Sequence, residues 1–239
     1  MKKAIIIGAS SGIGRALAHH LSEKGYHLGL VSRRDELLHE LQQELPLKSY
    51  VKRVDVVQTK HAQETVYELI REMDGVELII FCSGTGFVNP DLNWRLEKET
   101  IDVNVTGFCS MANLAMHYFN EKGFGHFVSI SSIAAIRGND AAPAYNASKA
   151  FMTHYMEGLR KRCVKSGKPI YITDILPGFV DTEMARGEKL FWVATPKKAA
   201  AQIYEAIVRK KKMAYVTKRW RLIAWLLKIV PDSIYNKLA

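Results

Sequence analysis

The sequence predicts a single α/β domain built on a doubly wound parallel sheet of about seven strands, with a C-terminal amphipathic helix. Three observations predict it. Short apolar runs alternate with longer segments of helical period, the pattern of βαβ units. The early runs are nearly continuous in Ile, Val and Leu, as in strands covered on both faces. The chain of 239 residues, 48% hydrophobic, suits one sheet of that size together with its covering helices.

Strands are expected at 4–7, 27–31, 49–54, 77–82, 126–131, 170–176 and 213–217. Helices are expected near 13–24, 34–45, 60–73, 94–121, 144–166 and 196–211. The run Ala4-Ile5-Ile6-Ile7 behind Met1-Lys2-Lys3 stops at Gly8, short of the roughly 7–15 apolar residues of an export signal, and reads as a buried first strand. No stretch approaches the roughly 18–20 apolar residues of a membrane-spanning helix. There is no internal repeat, low-complexity tract or linker. Residues 1–217 read as the dinucleotide-binding and catalytic unit, and 218–239 as a basic amphipathic helix and tail.

The three cysteines, Cys82, Cys109 and Cys163, show neither paired nor metal-ligand spacing. A reducing, cytoplasmic compartment fits, and no metal site is expected. The net charge of +10 sits at one end: residues 186–239 hold thirteen Lys and Arg against three acids, and the rest is neutral. A nucleic-acid enzyme carries such an excess around its cleft, so nucleic acid is not an expected partner.

Gly8-Ala9-Ser10-Ser11-Gly12-Ile13-Gly14 links the first strand to the first helix. Glycines there allow a tight turn and let backbone N–H groups approach a pyrophosphate, which then rests on the positive helix N-terminus. This marks Gly8, Ser10, Ser11, Gly12, Ile13 and Gly14 as a dinucleotide cradle. An NAD site usually ends its second strand with an acid for the ribose 2′-hydroxyl. Here stand Ser32, Arg33 and Arg34, a hydroxyl and two guanidinium forks that suit a 2′-phosphate. The expected cofactor is NADP(H).

Tyr145 and Lys149 lie one turn apart at the start of a helix, hence on one face. A phenol with its free pKa of about 10 is a poor acid–base catalyst at neutral pH, and a nearby cation favours its ionised form. Ser132 follows the strand expected at 126–131, at the sheet edge where parallel sheets place ligands. Its hydroxyl there can hold a carbonyl oxygen.

With Gly8, Gly12, Gly14, Asp55, Asn104, Ser132, the Tyr145-Asn146-Ala147-Ser148-Lys149 block, Pro177-Gly178 and Thr182 in this order, the chain resembles the short-chain dehydrogenase/reductase family over roughly residues 4–182. The resemblance implies a Rossmann-type fold and hydride transfer. It implies Tyr145 as general acid, Ser132 as the group orienting the carbonyl oxygen, and Lys149 as the residue that lowers the tyrosine pKa and anchors the nicotinamide ribose. Asn104 would hold a water in the proton relay, Asp55 and Val56 would contact adenine, and Thr182 would steady the nicotinamide amide. Ser83, Gly84, Pro177 and Gly178 would line the cofactor. Ser131 is the runner-up hydroxyl; the thirteen-residue spacing to Tyr145 selects Ser132. A homodimer or homotetramer through the helices near 94–121 and 144–166 is also implied.

Two departures stand out. Phe81-Cys82-Ser83-Gly84 replaces the family's Asn-Asn-Ala-Gly, so the asparagines that brace the central sheet are missing, and Ile7 replaces a threonine. Phe87, Val88, Phe179, Met184, Phe191 and Trp192 are candidate substrate-pocket residues, and the short connection between Thr182 and Thr195 suggests a small lid or an open pocket. Arg137 is read either as a contact for an anionic substituent or as an exposed loop residue.

The segment from Lys218 to Val230 should be helical until Pro231, with Arg221 and Lys228 on one narrow face and Trp and aliphatic side chains over most of the rest. It packs over the substrate pocket or a neighbouring subunit, lies in a membrane interface, or, as the least favoured reading, binds nucleic acid. The expected activity is NADP(H)-dependent reduction of a small-molecule carbonyl, hydrophobic or lipid-like if the segment meets a membrane. NADP-dependent alcohol or sterol oxidation and a nucleotide-sensing protein without turnover are the alternatives.

Overall fold

The structure, a computed structural model, describes residues 2–184 and 191–235. The connection expected to form a lid between Thr182 and Thr195 therefore lies partly outside the described residues, as does the end of the C-terminal tail. Seven strands form one parallel sheet: β1 (Lys2–Ile7), β2 (Tyr26–Ser32), β3 (Ser49–Arg53), β4 (Leu78–Phe81), β5 (Gly125–Ile130), β6 (Ile170–Pro177) and β7 (Met213–Val216). Their order is β3-β2-β1-β4-β5-β6-β7. The chain winds outward from β1 to β3, then returns to start β4 on the other side of β1. The reversal opens a crevice at the carboxyl ends of β1 and β4, where open parallel sheets bind ligands.

The strand alternation feeds two cores. Ile5 and Ile7 face one side with Phe81, Phe108 and Phe127, whereas Ala4 and Ile6 face the other with Leu17, Leu28 and Ile203. The helices α1 (Gly12–Glu23), α2 (Asp35–Glu44), α3 (Thr59–Glu72), α4 (Trp94–Ile101), α5 (Phe108–Lys122), α6 (Pro143–Ser166) and α7 (Pro196–Val208) cover these faces. Phe81 shows what replaces the missing asparagine brace. Fully buried, it meets the Phe108 ring edge-on with centroids 5.4 Å apart, and Phe108 contacts Phe127 and Tyr155 in turn. An aromatic cluster does by packing what amides do by hydrogen bonding.

The helix expected over 94–121 is not continuous. A π-helical turn, Asp102–Gly107, separates α4 from α5 and carries Asn104. The apolar period runs through it, so the sequence does not show the widened turn, a feature frequent at functional sites. The last helix starts two residues later than expected, as α8 (Trp220–Ile229), and a short α9 (Asp232–Tyr235) follows Pro231. Among the described residues no helix is long and apolar enough to cross a membrane.

Candidate active site

Gly8 leaves β1 with φ +95°, a left-handed conformation that glycine adopts freely. A Cβ on it would stand 2.5 Å from the Ser83 nitrogen, so only glycine lets the turn after β1 press against the loop after β4. A Cβ on Gly14 would lie 2.0 Å from the Gly8 oxygen. No side chain caps α1, whose first turn also lacks acidic residues. Its leading N–H groups thus point from a positive helix end into the crevice. These features fit a pyrophosphate.

Gly8, Ser10, Ser11, Gly12, Ile13 and Gly14 line one end of a cavity of about 1110 Å³. Ser32, Arg33, Arg34, Asp55 and Val56 continue that lining, followed by Ser83, Gly84, Ser132, Tyr145, Lys149, Pro177, Gly178 and Thr182. Arg34 is tied down: its Nε donates to the Ser10 hydroxyl at 3.2 Å, and one terminal nitrogen donates to the Ser11 hydroxyl. The other terminal nitrogen pairs with Glu183 at 3.0 Å. Arg33 is exposed at the same end of the cavity. Glu183, absent from the sequence reading, bridges the end of β2 to the segment after Thr182; no motif marks it.

β5 ends at Ile130, and a 3-10 turn, Ile133–Ala135, follows. Ser131 turns back into the sheet, donating its hydroxyl to the Ile175 carbonyl at 2.9 Å. Ser132 faces the cavity, accepts from the Ala134 N–H at 3.1 Å, and hydrogen-bonds the Tyr145 phenol. Ser132 is thus the hydroxyl available to a ligand. Tyr145 and Lys149 share a face of α6, the ammonium 5.6 Å from the phenol ring centroid. The ring lies so close to Gly86 that a Cβ there would fall 2.3 Å from it.

Lys149 is buried, and its Nζ donates to the Ile130 carbonyl at 3.2 Å. Burial brings its pKa down to about 8, while nearby Asp174 acts to raise it. Asp174 is a second residue the sequence reading missed. It is fully buried in β6 and accepts from the Ser129 hydroxyl at 2.8 Å, and burial raises its own pKa. Tyr145 departs from the expected direction. Enclosure by the pocket walls raises its pKa, and the Ser132 hydrogen bond opposes that rise. A phenol so placed holds its proton at neutral pH.

Asn104 lies one layer behind the cavity and does not line it. Its Oδ1 accepts from the Thr85 N–H at 2.9 Å, and its Nδ2 donates to the Thr85 carbonyl at 2.7 Å and the Ser148 hydroxyl at 3.0 Å. These bonds clamp the loop after β4 to α6, so its side chain braces the site. Phe87, Val88, Phe179 and Met184 line the cavity as expected. Phe191 instead lies tilted against Trp220 and Trp192 meets it edge-on, with centroids 5.1 and 6.1 Å away, and both remain exposed.

The C-terminal segment packs over the cavity, in line with the first of its sequence readings. Trp220, Leu227 and Tyr235 line the cavity. The indole lies against Gly178 so closely that a Cβ there would fall 2.0 Å from it. Arg137 lines the cavity and is not the exposed loop residue of its second reading. It donates to the Leu227 and Val230 carbonyls at 3.2 and 2.6 Å, pairs with Asp232, and stands 4.4 Å from the Tyr235 ring centroid. It satisfies carbonyls at the end of α8, where a cation also complements the helix dipole.

The family pattern described as short chain dehydrogenase matches residues 2–190. The chain belongs to that family. This short-chain dehydrogenase is 30% identical to an oxidoreductase of Myxococcus xanthus over 100% of the chain and 96% of the relative. It is 29% identical to the very-long-chain 3-oxoacyl-CoA reductase of Anas platyrhynchos, over 78% of this chain and 62% of that one. A Burkholderia phymatum short chain dehydrogenase/reductase in complex with NAD superposes with a TM-score of 0.84 at 20% identity, over 94% and 92% of the chains. A Sphingobium yanoikuyae short-chain dehydrogenase in complex with NADPH gives 0.81 at 22%, over 97% of each. At these identities the structural likeness establishes the fold.

Proposed function

We propose that this oxidoreductase reduces a carbonyl compound of largely apolar character, using NADPH. The observation that carries the reading is the convergence of the Tyr145 phenol, the Ser132 hydroxyl and the Lys149 ammonium on a cavity whose far end holds the glycine turn and two arginines. The bound dinucleotide supplies the hydride. Ser132 holds the carbonyl oxygen, and Tyr145 delivers a proton to that oxygen as negative charge builds there. Burial raises the pKa of this phenol, so it carries a proton to donate at neutral pH. Lys149 provides positive charge beneath the phenol and a donor for ribose hydroxyls.

Arg33 and Arg34 at the end of β2, with no acid until Asp35, support the phosphorylated dinucleotide. Phe87, Val88, Phe179, Met184, Trp220 and Leu227 support an apolar substrate, and the likeness to a 3-oxoacyl-CoA reductase agrees with a ketone. The test is NADPH consumption against a panel of aldehydes, medium- and long-chain ketones and 3-oxoacyl thioesters, with NADH in parallel. Turnover of apolar ketones with NADPH is expected. Dinucleotide binding without turnover across the panel would favour a sensor and overturn the reading.

A further inference from the structure

Helix α8 is apolar on two sides. At about 100° per residue, Trp220, Ala224, Ile223 and Leu227 gather on the side facing the protein. Trp220 and Ala224 are buried there. The opposite side holds Leu222, Trp225, Leu226 and Ile229, exposed by 68, 63, 47 and 53%. Helices of water-facing surfaces put polar residues there. Arg221 and Lys228 run along one flank of this stripe, Arg219 along the other, and Lys218 precedes it, all exposed. Phe191 and Trp192 extend the apolar surface past the N-terminal end of the helix, with the Arg219 guanidinium 4.9 Å from the Trp192 ring centroid.

We infer that this face docks on an anionic lipid bilayer, with α8 lying flat in the headgroup region. The charge pattern selects that occupant. Among the described residues, the acids beside α8 are already engaged: Asp232 pairs with Arg137, and Glu205 pairs with Arg209 and Lys218. A second copy would set one basic rim against another, which like-charge repulsion opposes, whereas anionic headgroups attract basic side chains and the acyl boundary takes up Trp and Leu. The helix is also fixed in this orientation, since Arg137 and Trp220 hold its inner side.

Because Trp220 and Leu227 wall the cavity from beneath the same helix, the docked protein holds that cavity against the membrane. A carbonyl compound dissolved in the acyl chains would then have a short way in. This consequence rests on the reductase reading; the docking itself does not.

The experiment is co-sedimentation of the full chain, with NADPH added, with vesicles of phosphatidylcholine plus phosphatidylglycerol, and with vesicles of phosphatidylcholine alone. Binding to the anionic vesicles is expected. It should weaken at least about tenfold without the anionic lipid, and by a similar factor in Trp225→Ser/Ile229→Ser. Arg221→Glu/Lys228→Glu, which leaves the apolar stripe intact, should lose the preference for anionic vesicles. Both double variants change only exposed side chains, so circular dichroism and turnover of a small water-soluble carbonyl should match the parent. Absence of pelleting with anionic vesicles, or equal pelleting of the serine variant, overturns the proposal. So does a parent whose mass by light scattering falls to the next smaller assembly in the serine variant without vesicle binding, since a second copy then covers the face. Vesicle binding is read without turnover, so its failure and that of the reductase reading are separately visible.

Discussion

The cavity wall that carries Ser132, Tyr145 and Lys149 grows out of the sheet, whereas the wall made by Trp220, Leu227 and Tyr235 is attached to it from outside. The first is cross-tied at short range: Asn146 on α6 donates to the Ala134 and Arg137 carbonyls at 3.1 and 2.8 Å, and Lys149 reaches back to Ile130. The second is held by side chains reaching across to it: Arg137 donates to the Val230 carbonyl, the Tyr235 hydroxyl donates to the Gly138 carbonyl at 2.7 Å, and the Trp220 indole lies against Gly178 and Phe179. Reacting groups need fixed geometry, and a few tenths of an ångström of play in the first wall would cost rate. The attached wall can open locally at much less cost than unfolding the sheet. Chemistry on the rigid side and substrate selection on the appended side would let one change without the other.

The strongest way to break that comparison is Tyr145→Phe. Loss of the proton donor should lower kcat by roughly 10²–10⁴-fold while NADPH affinity, read by fluorescence titration, stays near the parent value. Near-parental turnover would remove Tyr145 from the chemistry and the rigid wall from its role. Next in size is Arg33→Ala, which should weaken NADPH binding by about 1–3 kcal/mol and NADH binding far less. Equal losses would take Arg33 out of a phosphate site and leave that task to Arg34.

What was legible in the sequence follows the same division. The glycine turn, Ser132 and the Tyr145–Lys149 pair could be read because each depends on spacing within one crossover or one helical turn. The partners of Arg137 could not, since Leu227 and Val230 lie 90 and 93 residues away and no local pattern links them. Asp174 was hidden by the opposite feature. It lies inside a strand between Thr173 and Ile175, and its burial beside Ser129 depends on the register of β5 against β6. The π-helical turn around Asn104 escaped because an apolar period of 3.6 continues across it, and only the loop after β4 shows why the widened turn is useful.

pH offers a third, smaller test. Burial lowers Lys149 to about 8, so its ammonium is charged below that pH and loses its proton as pH rises through it. If that charge supports proton delivery, kcat for reduction should be level at lower pH and fall toward tenfold per unit above about 8. Asp174→Asn removes one charge that holds Lys149 up. The fall should then begin at lower pH, whereas an unmoved profile would show that Lys149 does not set it.

Arg137→Ala is expected to have the smallest effect on chemistry and is the most informative about the attached wall. The guanidinium serves two α8 carbonyls, Asp232 and the Tyr235 ring, but no reacting group. Its removal should cost about 1.5–3 kcal/mol of local stability, seen as faster amide exchange in α8 and α9 with the sheet unchanged. KM for long apolar ketones should rise severalfold because their tail meets Trp220 and Leu227, and kcat for a small ketone should barely move. A fall in kcat alone, equal for short and long substrates, would mean that the C-terminal wall and the catalytic wall act as one unit, because disturbing the first would have displaced Ser132, which Arg137 follows by five residues in the same loop.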